Sequence, residues 1–327
     1  MRAIGVDIGG TKCSVCLGEI LEDRAIILHK CQPHLTKIYS PQQMLELIVK
    51  DILLCKEHLK SNEEIKGIGI SCGGPLDSKA GVILSPPNLP GWNDIPIVDY
   101  IEERTGLKAW LCNDANAGAL AEWKLGAGKG CSNIIFLTFG TGLGAGIILN
   151  DRLYTGTNDM AGELGHIRLA DYGPVGYGKM GSFEGFCSGG GIAQLAKMMI
   201  MEEIQLGNKP ALAEVASSLE SITAEDVGRA AIEGDKLARE ILKIVGVQLG
   251  RGLSILIDLL NPEKIIIGSI FSRSYDYIWP FAKEVICNEA LPLSRKVCQV
   301  VPSQLSEAVG DIAALMVAEY FSKWERF

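Results

Sequence analysis

The sequence predicts a duplicated α/β fold: two βββαβαβα lobes in one chain, with an interlobe cleft between the copies. Three observations predict it. A run of three strands opens each half, a glycine-rich turn joins the first two strands of each, and helix then alternates with strand. At 327 residues the chain is also too long for one minimal domain.

In the first half, MRAIGVDI, TKCSVCLGEI and RAIILHKC have the apolar runs of strands. An amphipathic helix is expected over about Pro41 to Lys60, followed by strand KGIGIS, a helix over Ile97 to Arg104, strand KAWLC and a helix starting after Asp114. The second half repeats the order with NIIFLTFG, GLGAGIILN and the short DRLY. A long helix over Asp235 to Leu260, strand KIIIGS, a helix over Tyr275 to Asn288, strand KVCQVV and a helix from about Ser306 complete it. No linker separates the halves. The repeat itself places a smaller lobe at 1–113 plus about 306–327 and a larger one at 114–305.

Hydrophobic residues make up 47% and charged residues 21%, an ordinary globular balance. Glycine is the outlier: 38 of 327 residues, about 12%, against a usual value of about 7%. The formal charge of −8, with no basic tail, argues against a nucleic acid or an anionic membrane as partner. No stretch approaches the roughly 20 apolar residues of a membrane span, and Asp7 breaks the first apolar run too early for a secretory leader. A cytoplasmic protein with its ten cysteines reduced is therefore expected. Cys13 and Cys16 form a C-x-x-C, but on a strand positions i and i+3 face opposite ways and no second close pair follows, so both are expected to be ordinary small residues.

The two glycine turns are DIGGTK (Asp7 to Lys12) and FGTGLGAG (Phe139 to Gly146). Neither is a Walker loop, which needs G-x-x-x-x-G-K-[ST] opening a helix. Gly140, Gly142 and Ala145 loosely match a dinucleotide fingerprint, yet GIILN continues as strand, so that reading fails. Tight hairpins, or strand–turn–strand clamps presenting backbone N–H groups to phosphate, remain open. Lys12 and Asp7 favour the clamp, because a cation can hold phosphate and a carboxylate can orient Mg²⁺.

Together with NDANAGALAE at Asn113, GELGH at Gly162, GISCGGPLD at Gly69, LSPPNLPGW at Leu84 and NPEKIIIGS at Asn261, these turns resemble the ROK family. That family comprises sugar kinases and related repressors within the actin-like (ribonuclease H-like) ATPase superfamily. The ordered motifs span nearly the whole chain. The resemblance implies an ATP-dependent hexose kinase, glucokinase-like, with ATP and Mg²⁺ as cofactors and a homodimeric assembly. Asp114 is then the general base that takes the sugar hydroxyl proton, although an Asp at that position could simply cap its helix. Sugar-binding residues would be Gly74, Asn88, Asn113, Asp114, Glu163, His166 and Glu184; phosphate and nucleotide contacts would fall to Asp7, Gly9, Gly10, Thr11, Lys12, Gly140, Thr141, Gly142 and Gly268, with Mg²⁺ near Asp7. Glucose leads as substrate, followed by N-acetylmannosamine and N-acetylglucosamine.

One motif departs from the pattern. Many members follow the GELGH histidine with C-x-C-G-x-x-G-C-x-E, whose thiolates join it on structural zinc. Here VGYGKMGSFE places Val175, Tyr177 and Ser182 at those positions, so no zinc is expected, and packing around Tyr177, Met180, Phe183 and Phe186 is expected in its place. Two other functions fit the sequence less well. A sugar-sensing repressor would carry a helix-turn-helix ahead of the first turn, for which six residues leave no room. A non-sugar ATPase would not need the polar set around Asp114 and Glu163.

Overall fold

A computed structural model describes residues 1–59, 63–215, 217–305 and 309–324. The expected helix end at Lys60 and helix start at Ser306 lie outside the described residues. Principal elements are, in order, β1 (Arg2–Ile8), β2 (Lys12–Ile20), β3 (Ala25–Lys30), α1 (Pro41–Glu57), β4 (Ile65–Cys72), α2 (Ile97–Thr105), β5 (Ala109–Asn113) and α3 (Asp114–Leu125). Next come β6 (Ile134–Phe139), β7 (Leu143–Leu149), β8 (Arg152–Leu153), α4 (Gly189–Gln205), α5 (Ala224–Glu233) and α6 (Lys236–Leu260). The last are β9 (Lys264–Ile267), α7 (Tyr275–Glu289), β10 (Gln299–Pro302) and α8 (Val309–Trp324).

The strand order shows the duplication directly. One sheet runs β3-β2-β1-β4-β5 and the other β8-β7-β6-β9-β10, the same permutation twice. In the first, β2 is antiparallel to β1 and β3, while β1, β4 and β5 are parallel. In the second, β6, β9 and β10 are parallel. Parallel strands covered on both faces read as unbroken apolar runs, and the IIFL and KIII segments do so because every inner position is buried.

Two compact units emerge. One holds Met1–Gly130, Gly146–Ala161 and the stretch from Gln304; the other holds Cys131–Ala145 and Gly162–Ser303. The expected break at 113/114 differs from this division because α3 packs against α8 and β5, which hold it in the first unit. Glu122 of α3 strengthens the attachment: fully buried, it accepts from the backbone N–H of Ala127 at 2.8 Å and of Leu305 at 3.0 Å.

Local signals explain most boundaries. Ser40 and Gln43 form a capping box ahead of Pro41, and Asp235 caps α6 through the N–H of Ala238. The strand expected at KVCQVV begins late, at Gln299, because Pro292 at the first helical position starts a short helix over Pro292–Val297. Cys13 and Cys16 are both core residues, since β2 is covered on both faces, and burial raises both thiol pKa values.

Helix α8 lies directly on the first sheet. A Cβ built on Gly69 would sit 1.9 Å from the Ala314 carbonyl oxygen, and one on Gly18 would sit 2.2 Å from Leu315 Cδ1. Only glycine admits so close an approach. Gly69→Ala should therefore destabilise the protein by on the order of 1–3 kcal/mol in urea unfolding, through overpacking. A change within experimental error would show that α8 is free to move off the sheet.

Candidate active site

In the first unit the turn after β1 is held open by a neighbouring segment. Gly9 N–H donates to the Lys12 carbonyl at 2.9 Å, closing the turn. Thr36 then takes two of its outward acceptors: its hydroxyl donates to Gly9 O at 2.7 Å and its backbone N–H to Thr11 O at 3.0 Å. The carbonyls of Gly9 and Thr11 are thus both occupied. Thr36 is buried, and strand His34–Leu35, which pairs with β2 at Lys12 and Cys13, carries it there. His34 in turn pairs with Asp51 of α1 at 2.8 Å. Sequence reading missed Thr36, because its partners are backbone atoms 25 or more residues away.

Asp7 ends β1 beside this turn. Burial and the negative charges of Asp311 and Asp114 push its carboxyl up to about 6, against smaller opposing effects of Lys12 and Lys30. Asp311, in the first turn of α8, accepts from the Ser14 hydroxyl at 3.0 Å and is paired with Lys30. A Cβ on Gly310 would meet Asp7 Oδ2 at 2.7 Å, so glycine there leaves space for the carboxylate.

The strand-to-helix corner β5–α3 positions the second carboxylate. Asn113 is the helix N-cap: its side-chain oxygen accepts from the N–H of Ala115 at 2.9 Å and of Asn116 at 3.4 Å. Asp114 therefore does not cap α3 in that manner; it is the first helical residue, with Oδ1 accepting from Ala115 N–H at 2.8 Å. Its side chain is open to solvent, yet the protein crowded around it raises its pKa, partly offset by the N–H groups of Ala115 and of Asp114 itself. Gly73, Gly74 and Asn88 gather at the same corner. A Cβ on Gly74 would lie 3.1 Å from Asn113 Nδ2, one on Gly73 3.2 Å from Asn88 Nδ2, and one on Gly10 2.7 Å from Asn88 O. So Gly10, Gly74, Asn88, Asn113 and Asp114, spread over a hundred residues, form one neighbourhood.

In the second unit the turn between β6 and β7 is tied to a different carboxylate. Glu184 Oε2 accepts from Leu143 N–H at 2.9 Å, and a Cβ on Gly142 would meet that oxygen at 2.8 Å. Thr138 accepts from Gly144 N–H at 2.9 Å across the same hairpin. Glu163 and His166 are exposed on the short helical turn that precedes the 167–187 segment. Gly140 and Thr141 line a cavity of about 760 Å³, within the size range of small-molecule sites. Thr223, Glu225 and Arg229 of the α5 region line it from one direction, and Ser269 and Arg273 from another. Gly268 stands one residue outside the lining, its N–H donating to Leu137 O at 3.0 Å. Sequence reading missed Thr223, Arg229 and Arg273; the only local signal was the Thr223–Asp226 capping box, which marks a helix start and no ligand.

The Asp7 carboxyl generates a pH prediction. Its folded pKa is raised, so ionising it costs stability: no cost below the ordinary 3.8, a growing cost up to about 6, and the full cost above. Asp7→Asn removes that cost. Its Tm should exceed that of the parent at about pH 7.5, and the gain should shrink to nothing near pH 4. A gain independent of pH would refute the electrostatic cause.

The sequence matches the ROK family over residues 3–320. A glucokinase of Thermotoga maritima is 31% identical over 318 residues, covering 97% of each chain. Among solved structures, a ROK family glucokinase from Streptomyces griseus in complex with glucose and AMPPNP is 30% identical, with a TM-score of 0.76 over 98% of this chain and 100% of its own. A ROK family transcriptional regulator, a homologue of the Escherichia coli Mlc protein, is 26% identical, with a TM-score of 0.83 over 98% of this chain and 78% of its own. The shared strand permutation, the motif order and these matches along nearly the full length lead to one conclusion: the chain belongs to the ROK family.

Proposed function

We infer that the protein is an ATP-dependent sugar kinase that transfers the terminal phosphoryl group of ATP to a hexose hydroxyl. The observation that carries this reading is the corner at Asp114: an open carboxylate of raised pKa beside the amides of Asn88 and Asn113. A sugar hydroxyl is a weak nucleophile and both donates and accepts hydrogen bonds; this corner offers acceptor, donor and base together. Glucose leads as substrate, because the glucokinases cover almost all of the chain; N-acetylmannosamine and N-acetylglucosamine follow.

In the proposed reaction Asp114 accepts the hydroxyl proton as the new oxygen–phosphorus bond forms. The bond from phosphorus to the bridging oxygen breaks, and ADP leaves with that oxygen. Gly9, Gly10, Thr11 and Lys12 hold phosphate, as do Gly140, Thr141 and Gly142. Adenosine occupies the 760 Å³ cavity next to Gly268. Asp7 suits a divalent ion, since Mg²⁺ arriving with ATP would relieve the repulsion from Asp311 and Asp114. Gly74, Asn88, Asn113, Glu163, His166 and Glu184 contact the sugar. We further propose that the kinase is cytoplasmic and homodimeric and needs no nucleic acid; among the described residues no helix is long and apolar enough to cross a membrane.

A coupled assay of ADP release over a panel of hexoses tests the reading. Asp114→Asn should lower kcat by on the order of 10³-fold and leave sugar affinity nearly intact. Near-normal turnover would remove Asp114 as base, and sugar binding with no ADP release by the parent would indicate a sensor. Thr36→Val should raise the KM for ATP by about 3–10-fold through the orphaned Gly9 carbonyl, while Thr36→Ser restores it. A parental KM in Thr36→Val, or an equal rise in Thr36→Ser, would mean that the hydroxyl's bond to Gly9 is not what holds the turn.

A further inference from the structure

The segment from Ile167 to Cys187 connects His166 to Glu184, and something must hold it in shape. A metal does not suit the side chains present. Val175 and Tyr177 are not ligands, and Ser182 caps the helix Phe183–Phe186 through Gly185 N–H at 3.1 Å. Cys187 is buried, with its thiol 3.7 Å from Val245 O on α6. Among the described residues no group of three or more His, Cys, Asp or Glu could hold a metal ion. Aromatic packing accounts for only half of the order expected of it. Phe183 and Phe186 are core residues, whereas Tyr177 is 71% and Met180 44% exposed.

The segment is instead a hydrogen-bonded strap. A two-residue hairpin pairs Val175 with Met180 and Gly176 with Lys179, and both residues at its tip, Tyr177 and Gly178, have positive φ as a type I′ turn requires. Its ends are fastened by side-chain hydrogen bonds in addition to the hairpin pairing. Gln194, on α4, grips Val175 at both backbone atoms: it donates to Val175 O at 2.9 Å and accepts from Val175 N–H at 3.0 Å. Lys179 Nζ donates to the carbonyl oxygen of His166 at 2.7 Å. Arg168 donates to Met180 O at 2.7 Å. The His166 ring meets Tyr177 edge-on, with centroids 6.3 Å apart.

We propose that Gln194 and Lys179 are positioning residues of a metal-free brace that fixes the strap against α4 and thereby sets His166 and Glu184 for sugar binding. Gln194 does for the chain, with an amide matched to both backbone groups of one residue, what a coordinated ion could do by drawing ligands to a point. Lys179 ties the hairpin back to His166 itself. Through Glu184 and Leu143 N–H the same strap also reaches the second glycine turn. The consequence for sugar binding rests on the kinase reading; the brace itself does not.

The test uses the full chain with Gln194→Leu, Gln194→Glu and Lys179→Met. Gln194→Leu keeps bulk and loses both bonds, Gln194→Glu keeps only the acceptor for Val175 N–H, and Lys179→Met keeps the stem without the donor. The KM for hexose should rise at least about fivefold in Gln194→Leu and Lys179→Met, with Gln194→Glu between parent and Gln194→Leu, and kcat and the KM for ATP should change less than about twofold. Hydrogen exchange at Val175 should accelerate in Gln194→Leu, and treating the parent with a chelator that is removed before Mg²⁺ and ATP are added should alter neither exchange nor KM. An unchanged hexose KM in Gln194→Leu and Lys179→Met would overturn the positioning role. Unchanged Val175 exchange in Gln194→Leu, or a chelator that reproduces the variants, would overturn the brace. If the parent phosphorylates no hexose, the kinase reading fails while exchange still decides the brace.

Discussion

The close seating of α8 on a sheet without side chains at Gly18 and Gly69 is the constraint from which the first unit's chemistry follows. Because the helix backbone comes within van der Waals distance of β4, its first turn is carried to the end of β1, where Gly310 and Asp311 meet Asp7. The same helix packs on α3, whose first residue is Asp114. Both carboxylates thus stand on elements pressed by one helix. Neither could be displaced without opening the sheet that supports it. Burial and like charge then raise the Asp7 pKa, a cost the unit bears in order to keep carboxylates close together.

The two glycine turns solve the same problem with opposite chemistry. A turn that holds an anion, as proposed for both, must keep its N–H groups outward and its carbonyls occupied. In the first turn Thr36 provides donors, satisfying the carbonyls of Gly9 and Thr11. In the second Glu184 provides an acceptor and holds one N–H, that of Leu143, while Gly140 and Thr141 face the cavity. Duplication preserved the strand order while the fastenings diverged. Glu184 is only partly buried, while the donor of its bond, Leu143, is a core residue.

Periodicity made the sequence of strands and helices legible, because each element carries its own apolar pattern and most carry their own caps. Asn113 and Asp114 were legible as a pair, but which of them caps and which stands free depends on the backbone at the corner. The cavity was not legible: Thr223, Arg229, Ser269 and Arg273 lie in segments about 40 residues apart, and only folding brings them to one space. Gly268 follows from the family resemblance of NPEKIIIGS, yet its neighbour Ser269, with φ of 54°, lines the cavity. Gln194 and Thr36 escaped for a common reason. Each acts on main-chain atoms, and backbone partners leave no mark on residue choice at the other end. The expected break at 113/114 and the compact units divide the chain differently, because helix-to-helix packing of α3 on α8 has no local signature.

The placement of α8 also has a bearing on biosynthesis. A ribosome delivers the first sheet early, but the helix that covers its glycine-lined face emerges only after every residue of the second unit. Until then β1 and β4 present bare backbone and apolar side chains to solvent. The second unit, Cys131–Ala145 and Gly162–Ser303, is complete in the chain before α8 emerges, whereas the first stays unfinished until the last helix is made.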